Sequence, residues 1–144
     1  MVMGKVRNIL QSKNEPVFTV GPEITVYQAI ELMCEKNIAA ILITENGKPT
    51  GIFTERDYAR KVVLKRKSSK ATLLGELMSR NLYSVTSEST IEDCMNMMNT
   101  KKIRHLPVVD DGNLVGVVSV GDLIRFMLEE QRCIIEHLEN YITH

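Results

Sequence analysis

The sequence predicts a mixed α/β (α+β) fold made of two copies of one β-α-β-β-α module. Residues 17–60 align with residues 82–125 at a constant offset of 65, without a gap, and ten of the 44 aligned pairs are identical. Each copy closes with the same pattern, "GIFTERD" at 51–57 and "GVVSVGD" at 116–122. A long gapless repeat of this kind is typical of a duplicated structural unit.

The first half of each copy predicts a short strand followed by a helix. The strands are "VFTV" at 17–20 and "LYSV" at 82–85. Thr25 and Thr90 then stand where helix N-caps are expected, each with a polar residue three positions later, as in a capping box. Apolar residues recur at helical spacing after each cap, so each helix is expected to bury one face.

The second half of each copy predicts a β-hairpin and a further helix. Asn46-Gly47 and Asp111-Gly112 separate two apolar runs, and both central residues of a type I′ turn need positive φ. A helix is then expected to begin at the hydroxyl residue of each closing pattern. Short helices are also predicted before each copy, at 4–10 and 72–78. The boundaries follow as 1–66 for the first module and 67–144 for the second, which ends in a long helix.

Composition excludes several classes of function. Eighteen basic residues balance eighteen acidic ones, which argues against nucleic-acid binding, and no apolar run is long enough to span a membrane. Three cysteines and three histidines show no ligand spacing, so no metal site is predicted. The sequence shows no nucleophile–base pair and no phosphate-binding glycine loop, so an enzyme is not predicted. The N-terminus lacks a secretory signal, and a cytoplasmic location is predicted.

The closing pattern admits two interpretations. A Ser or Thr followed three residues later by an acid, directly after a strand, is typical of a capped helix start. The same groups suit a nucleotide: free N–H groups at a helix start bind phosphate, and the aspartate can accept hydrogen bonds from a ribose diol. One element can serve both purposes, so both interpretations stay open.

The repeat, with its pattern of glycine, two apolar residues, a hydroxyl residue and a later aspartate, resembles a pair of cystathionine-β-synthase (CBS) domains. The resemblance covers nearly the whole chain, including "RHLPVVDDGNLVGVVSVGDL" at 104–123. It implies two modules packed through their sheets about a pseudo-twofold axis, and a disc-like homodimer of such pairs. It further implies a regulatory role, with adenine nucleotides or related adenosyl compounds bound in clefts between the modules.

The resemblance also implies site residues, position by position. Asp57 and Asp122 match the ribose-binding aspartates, Thr54 and Ser119 the hydroxyls near phosphate, and Ile52 and Val117 the residues beside adenine. Further cleft residues are expected at Val20 and Val85 on the first strands, at Ile9 and Leu77 on the preceding helices, and at the phosphate-facing Lys102 and Arg104. The first copy has Asn37 and Ala39 at the last two positions, so the two clefts are expected to differ.

Two functions follow as hypotheses. The first is a regulatory sensor of adenine nucleotides, with AMP favoured ahead of ATP, ADP or NAD, no catalytic cofactor, and an unknown client protein. The alternative is a ligand-independent interaction or scaffold module in which the motifs only cap helices. In either case the wide apolar stripe of the last helix, from Leu123 to Ile142, indicates a homodimer contact.

Overall fold

The computed structural model of the chain describes residues 4–143. The helices are α1 (Val6–Lys13), α2 (Val26–Lys36), α3 (Glu55–Asp57), α4 (Leu74–Leu77), α5 (Ile91–Lys101) and α6 (Val120–Thr143). The strands are β1 (Thr19–Val20), β2 (Ala40–Glu45), β3 (Lys48–Thr54), β4 (His105–Asp110) and β5 (Asn113–Ser119). The α+β class and the β-α-β-β-α order of the first module are confirmed.

The local signals that the sequence carries are present in both copies. Thr25 and Thr90 cap α2 and α5, and each cap is a complete capping box. Asn46 and Asp111 begin the two hairpin turns with φ of 54° and 51°. The glycines that follow them have φ of 77° and 80°, so both turns have positive φ at both central positions, as predicted.

The first strand of the second module is shorter than predicted. In the first module β1 pairs in parallel with β2, through Thr19 with Leu42 and Val20 with Ile43. In the second module only Val85 pairs, in a single bridge to Val108. The residue equivalent to Leu42 is Pro107, which has no N–H to donate to a neighbouring strand. Segment 82–84 is therefore not a strand.

The helix after the first motif also differs from the prediction. α3 is a single turn, and the chain continues directly as a π-helix over Tyr58–Val63. The helix after the second motif, α6, is α-helical for 24 residues. The two motifs therefore begin alike and continue with different helical windings.

The short helices exchange between the modules. Val6 and Ile9 of α1 lie in the core of the second module, and Leu74 and Leu77 of α4 lie in the core of the first. The exchange is symmetric, because Lys5 bridges to Thr90 just as Leu73 bridges to Thr25. The boundary at residues 66 and 67 stays a prediction of the repeat, and the packing of α1 and α4 crosses it.

The sheets bring the modules together. β3 and β5, the strands that lead into the two motifs, contact each other. Gly51 and Gly116 lie on these strands where a flanking helix comes close: an added Cβ would lie 2.6 Å from Met78 Sδ at Gly51 and 2.6 Å from Leu10 Cδ2 at Gly116. Gly116 therefore permits the close approach of α1, and Gly51 that of Met78, the residue that directly follows α4.

Candidate functional site

Both motifs form the same hydrogen-bonded helix start. The Asp57 backbone N–H donates to Thr54 Oγ1 and the Thr54 N–H donates to Asp57 Oδ2, at 3.1 and 2.9 Å. The Asp122 N–H donates to Ser119 Oγ and the Ser119 N–H donates to Asp122 Oδ2, at 3.1 and 2.8 Å. Each aspartate thus holds the backbone N–H of its own N-cap, so helix capping is part of what each motif does.

A large cavity of about 1530 Å³ lies beside the second motif. The second module contributes His105, Val117, Ser119 and Asp122, and α6 adds Arg125, Phe126, Glu129 and Cys133. The exchanged helix α1 contributes Ile9, Leu10 and Lys13, followed by residues 14–18 of the first module. The opposite wall is formed by Ile52 of β3 and residues 36–40, which precede and begin β2. The cavity therefore lies between the two modules.

Asp122 is the most enclosed charged group of this cavity. Its side chain is 3% exposed. Lys13 Nζ donates to Asp122 Oδ2 at 3.0 Å and to the Val117 carbonyl oxygen at 3.1 Å. Arg125 donates to Asp122 Oδ1 at 2.6 Å. The Asp122 carboxylate is therefore bonded to two cations, and the cluster of Asp122, Lys13 and Arg125 has a net charge of +1.

These contacts set the ionisation of the cluster. Burial acts to raise the pKa of Asp122, but the Ser119 hydrogen bonds and the Lys13 ammonium outweigh burial, so the pKa lies below its ordinary value. Burial lowers the pKa of His105; Asp122 opposes this shift, and Lys13 and Arg104 add to it. At neutral pH the cavity therefore holds an ionised Asp122 beside an uncharged His105.

The first motif has a more open cluster. Lys61 Nζ lies 3.5 Å from Asp57 Oδ1 and donates to the Leu77 carbonyl oxygen at 3.0 Å. The Asp57 side chain is 19% exposed. The lysine here comes from the helix that follows the motif, whereas Lys13 comes from the other end of the chain.

The structure brings together five of the twelve predicted site residues. These five line the large cavity: Ile9, Ile52, Val117, Ser119 and Asp122. Lys102 and Arg104 instead line a shallow depression of about 430 Å³ with Arg56 and residues of α5 and α6. Their predicted contact with a phosphate stays a prediction.

The other five predicted residues lie outside both depressions. Thr54 and Asp57 form the first motif, and the Leu77 carbonyl oxygen accepts from its lysine. Val85 is buried in the core of the second module, and Val20 packs against the core of the first. Their binding roles also stay predictions.

Three cations of the cavity are not in the predicted set. Lys13 lies on an exchanged helix, so nothing in the local sequence connects it with Asp122. Arg125 aligns with the identical Arg60 in the repeat, and this identity is the one feature of the sequence that could have indicated Arg125 as a site residue. Lys36 also repeats, as Lys101, and each stacks over an aromatic ring at 5.0 Å, Phe18 in one case and Tyr83 in the other.

Residues 4–143 contain neither a metal-binding cluster nor a membrane-spanning helix. No group of three or more His, Cys, Asp or Glu side chains in this range is arranged to hold a metal ion. No helix in the described part of the chain combines the length and apolar character needed to cross a bilayer. Cys94 is buried, which raises the pKa of its thiol to about 11, whereas Cys34 and Cys133 are exposed.

The fold and the cavity define a tandem-module protein with a cleft between its modules. The family model of the CBS domain matches residues 6–64 and 74–129. The chain therefore belongs to the CBS-domain family and is a tandem pair, as the sequence predicted. Members of this family are generally regulatory, ligand-binding modules rather than enzymes.

Known proteins of this family cover most of the chain. The CBS domain-containing protein CBSX3, mitochondrial, of Arabidopsis thaliana is 37% identical over 82% of this chain, which spans 60% of that protein. The solved structure of a putative signal-transduction protein with CBS domains from Burkholderia ambifaria is 41% identical. It has a TM-score of 0.85 and covers 89% of this chain and 96% of its own.

A third similar structure was solved with ligands. The CBS domain pair of protein MJ0100, in complex with 5′-methylthioadenosine and S-adenosyl-L-methionine, is 27% identical with a TM-score of 0.79. The match covers 90% of this chain and 99% of that one. Members of the family thus bind adenosine-containing ligands.

Proposed function

We propose that the chain is a regulatory module that binds an adenosine-containing ligand, with AMP favoured ahead of ATP, ADP or NAD. The observation that carries this proposal is the cavity between the modules, where Asp122 and Ser119 of the motif face the exchanged helix α1. A carboxylate is a suitable acceptor for a ribose diol, and the motif hydroxyl and helix start suit a phosphate. The two ligands of the MJ0100 domain pair share the adenosine group.

The lining of the cavity suits each part of such a ligand. Ile9, Ile52 and Val117 are apolar and come from three different elements, so they offer flat contact surface for a base. Lys13, Lys36 and Arg125 supply positive charge for a phosphate. No residue of the cavity is assigned a catalytic role, and the proposed function is regulation of a client protein of unknown identity.

The alternative function is a ligand-independent interaction module. The observation in its favour is that both capping boxes are complete without any ligand. In that case Asp57 and Asp122 stabilise helix starts and nothing more. The two functions differ in one measurable property, the response of the folded state to nucleotides.

Thermal unfolding of nucleotide-free protein against AMP, ADP, ATP, NAD and S-adenosylmethionine tests the proposal. A ligand present at about a hundred times its dissociation constant adds ~2.7 kcal/mol to the native state if it binds only there. We expect an upward shift of Tm with AMP that is lost in Asp122→Ala and kept in Asp57→Ala. No shift with any of the five compounds would favour the interaction module.

We also propose that the protein is a homodimer to which α6 contributes. Five exposed apolar residues of α6 lie on one face of the helix at successive spacings of four, seven, three and four, with Gln131 at the position between the second and the third: Ile124, Leu128, Ile135, Leu138 and Ile142. Another face of the same helix lines the cavity through Phe126 and Cys133. In the proposed dimer, α6 would therefore connect the cavity with the subunit contact.

Light scattering of the full chain and of a chain truncated after Met127 tests the dimer. We expect twice the chain mass for the full protein and a single chain mass after truncation. A truncated protein that keeps twice the chain mass would show that the part of α6 beyond Met127 is not needed for the contact. A cytoplasmic location remains a proposal of the sequence, and the Arabidopsis relative, which is named as mitochondrial, does not support it.

A further inference from the structure

The carboxylate of Asp122 has few acceptor positions left for a ribose. A carboxylate offers about four lone-pair positions, two on each oxygen. Oδ2 already accepts from the Ser119 N–H and from Lys13, and Oδ1 accepts from Arg125. Because the side chain is also only 3% exposed, a diol reaches it only after one of these cations moves.

The two cations differ in how they are held. The Arg125 side chain is 72% exposed and makes one contact with Asp122, so it turns into solvent at little cost. The Lys13 side chain is 26% exposed, and its ammonium contacts both Asp122 and the Val117 carbonyl oxygen. A vicinal diol that donates to both oxygens of Asp122 can take the place of Arg125 on Oδ1 at little cost, but on Oδ2 it must displace Lys13.

The backbone position of Lys13 keeps its ammonium close when it is displaced. Lys13 is the last residue of α1, and residues 14–18 after it line the same cavity. The other carboxylate near its Nζ is that of Glu15, at 3.9 Å on a side chain that is 65% exposed, and such an exposed pair stabilises weakly. An anion inside the cavity would therefore stabilise a displaced Lys13 ammonium more than the exposed Glu15 does.

We propose that Lys13 is a specificity-determining residue of this cavity and selects adenosine ligands that carry a phosphate. A ribose that takes Asp122 displaces the ammonium, and a phosphate on the same ligand pairs with it. Adenosine displaces the ammonium without pairing it, and S-adenosylmethionine brings a net positive charge toward it, because its sulfonium and ammonium outnumber its one carboxylate. This inference rests on the proposed function, since it names the ligand class of the same cavity.

Isothermal titration of AMP, adenosine and S-adenosylmethionine tests the inference. The variants are Lys13→Met, which removes the charge, and Lys13→Arg, which keeps it. Lys61→Met is the matched control, because it removes the corresponding cation from the first motif. Asp122→Ala serves as the non-binding reference, and circular dichroism confirms that each variant is folded.

We expect the unaltered protein to bind AMP at least about tenfold more tightly than adenosine, because one additional charge-assisted contact raises affinity by about this factor. In Lys13→Met adenosine binds more tightly, AMP binds more weakly, and the two affinities converge to within about threefold. Lys13→Arg and Lys61→Met keep the original ratio.

The remaining outcomes separate the two proposals. If AMP binds and its ratio to adenosine is the same in Lys13→Met as in the unaltered protein, Lys13 does not determine specificity, and the binding function stands. If neither the unaltered protein nor any variant binds any of the three compounds, the proposed function fails and the role of Lys13 fails with it.

Discussion

Asp57 and Asp122 begin the same kind of helix in the same way, yet their surroundings differ. Each accepts the N–H of its N-cap residue, at 2.9 Å in the first motif and 2.8 Å in the second. Asp122 is 3% exposed and has two cations within 3.0 Å, whereas Asp57 is 19% exposed with one lysine at 3.5 Å. Four residues of local sequence fix the cap, and the rest of the chain fixes the charge around it.

The helical winding after each motif explains part of this difference. The arginine three residues after the aspartate is identical in the two copies, Arg60 and Arg125. In the α-helix α6 it pairs with Asp122 at 2.6 Å. After α3 the chain is π-helical, and the residue paired with Asp57 is Lys61, one position later. The wider helical turn brings Lys61 to Asp57, whereas the residue equivalent to Lys61 in the second copy is the uncharged Phe126.

The exchange of α1 and α4 explains the other part. The bridges of Lys5 to Thr90 and of Leu73 to Thr25 relate the two helices by an offset of 68 residues. By that offset the residue equivalent to Lys13 is Asn81, which has no charge to offer Asp57. The two repeats therefore have differently charged sites, because the segments that flank them differ in sequence at the position of Lys13 and Asn81.

Removing each aspartate is the strongest test of this comparison. Asp122→Ala leaves the Lys13 ammonium and the Ser119 N–H without their acceptor, and we expect the free energy of unfolding to fall by about 2–3 kcal/mol. Asp57→Ala removes a more exposed and more distant pair, and we expect a loss of about 1 kcal/mol. Urea unfolding of both variants measures the difference. Equal losses would mean that burial and the second cation add nothing to the stability of the second cluster.

Replacing each motif glycine with alanine tests how closely the exchanged segments pack against β3 and β5. In Gly116→Ala the new Cβ meets the branched Leu10 side chain at 2.6 and 3.1 Å, and we expect a loss of about 1–2 kcal/mol. In Gly51→Ala it meets Met78, whose unbranched chain adjusts more easily, and we expect a smaller loss.

Thermal or urea unfolding ranks the two glycine variants. Leu10→Ala combined with Gly116→Ala should cost less than the sum of the single changes, because the shortened side chain no longer meets the new methyl group. Additive losses would contradict the contact between α1 and β5.

The pH dependence of stability is the third test of the comparison between the two modules, and its expected effect is the smallest. His105 has no titrating equivalent in the first module, where Ala40 stands. Because burial lowers its pKa, folding favours the neutral imidazole, and the unfolded chain binds more protons between the lowered pKa and about 6.5. The contribution of His105 is therefore complete above about pH 6.5 and is lost as the pH falls toward the lowered value.

Urea midpoints between pH 7.5 and 5.5 measure this effect. We expect the unaltered protein to lose stability on acidification in this range and His105→Gln to lose less. In Lys13→Met the pKa of His105 should rise, since one of the cations that lower it is gone. The same slope in the unaltered protein and in His105→Gln would assign the pH dependence to other groups.

The sequence was sufficient for features that depend on neighbours in the chain. The capping boxes at Thr25 and Thr90 and both positive-φ turns follow from residues no more than three positions apart. It was wrong about the strand at 82–85, because the effect of Pro107 appears only when the pairing partner is known. Of the residues that line the cavity, the predicted set included Ile9, Ile52, Val117, Ser119 and Asp122 but not Lys13.

By itself, then, the sequence determined the two-module fold and the start of each motif helix, since hydrogen bonds along the chain and apolar periodicity fix both. Only the tertiary structure decided that α1 packs in the far module and places Lys13 on Asp122, 109 positions away. The reason is physical: a cap is closed by atoms one helical turn apart, whereas the charge around a buried carboxylate depends on whichever elements the core brings beside it.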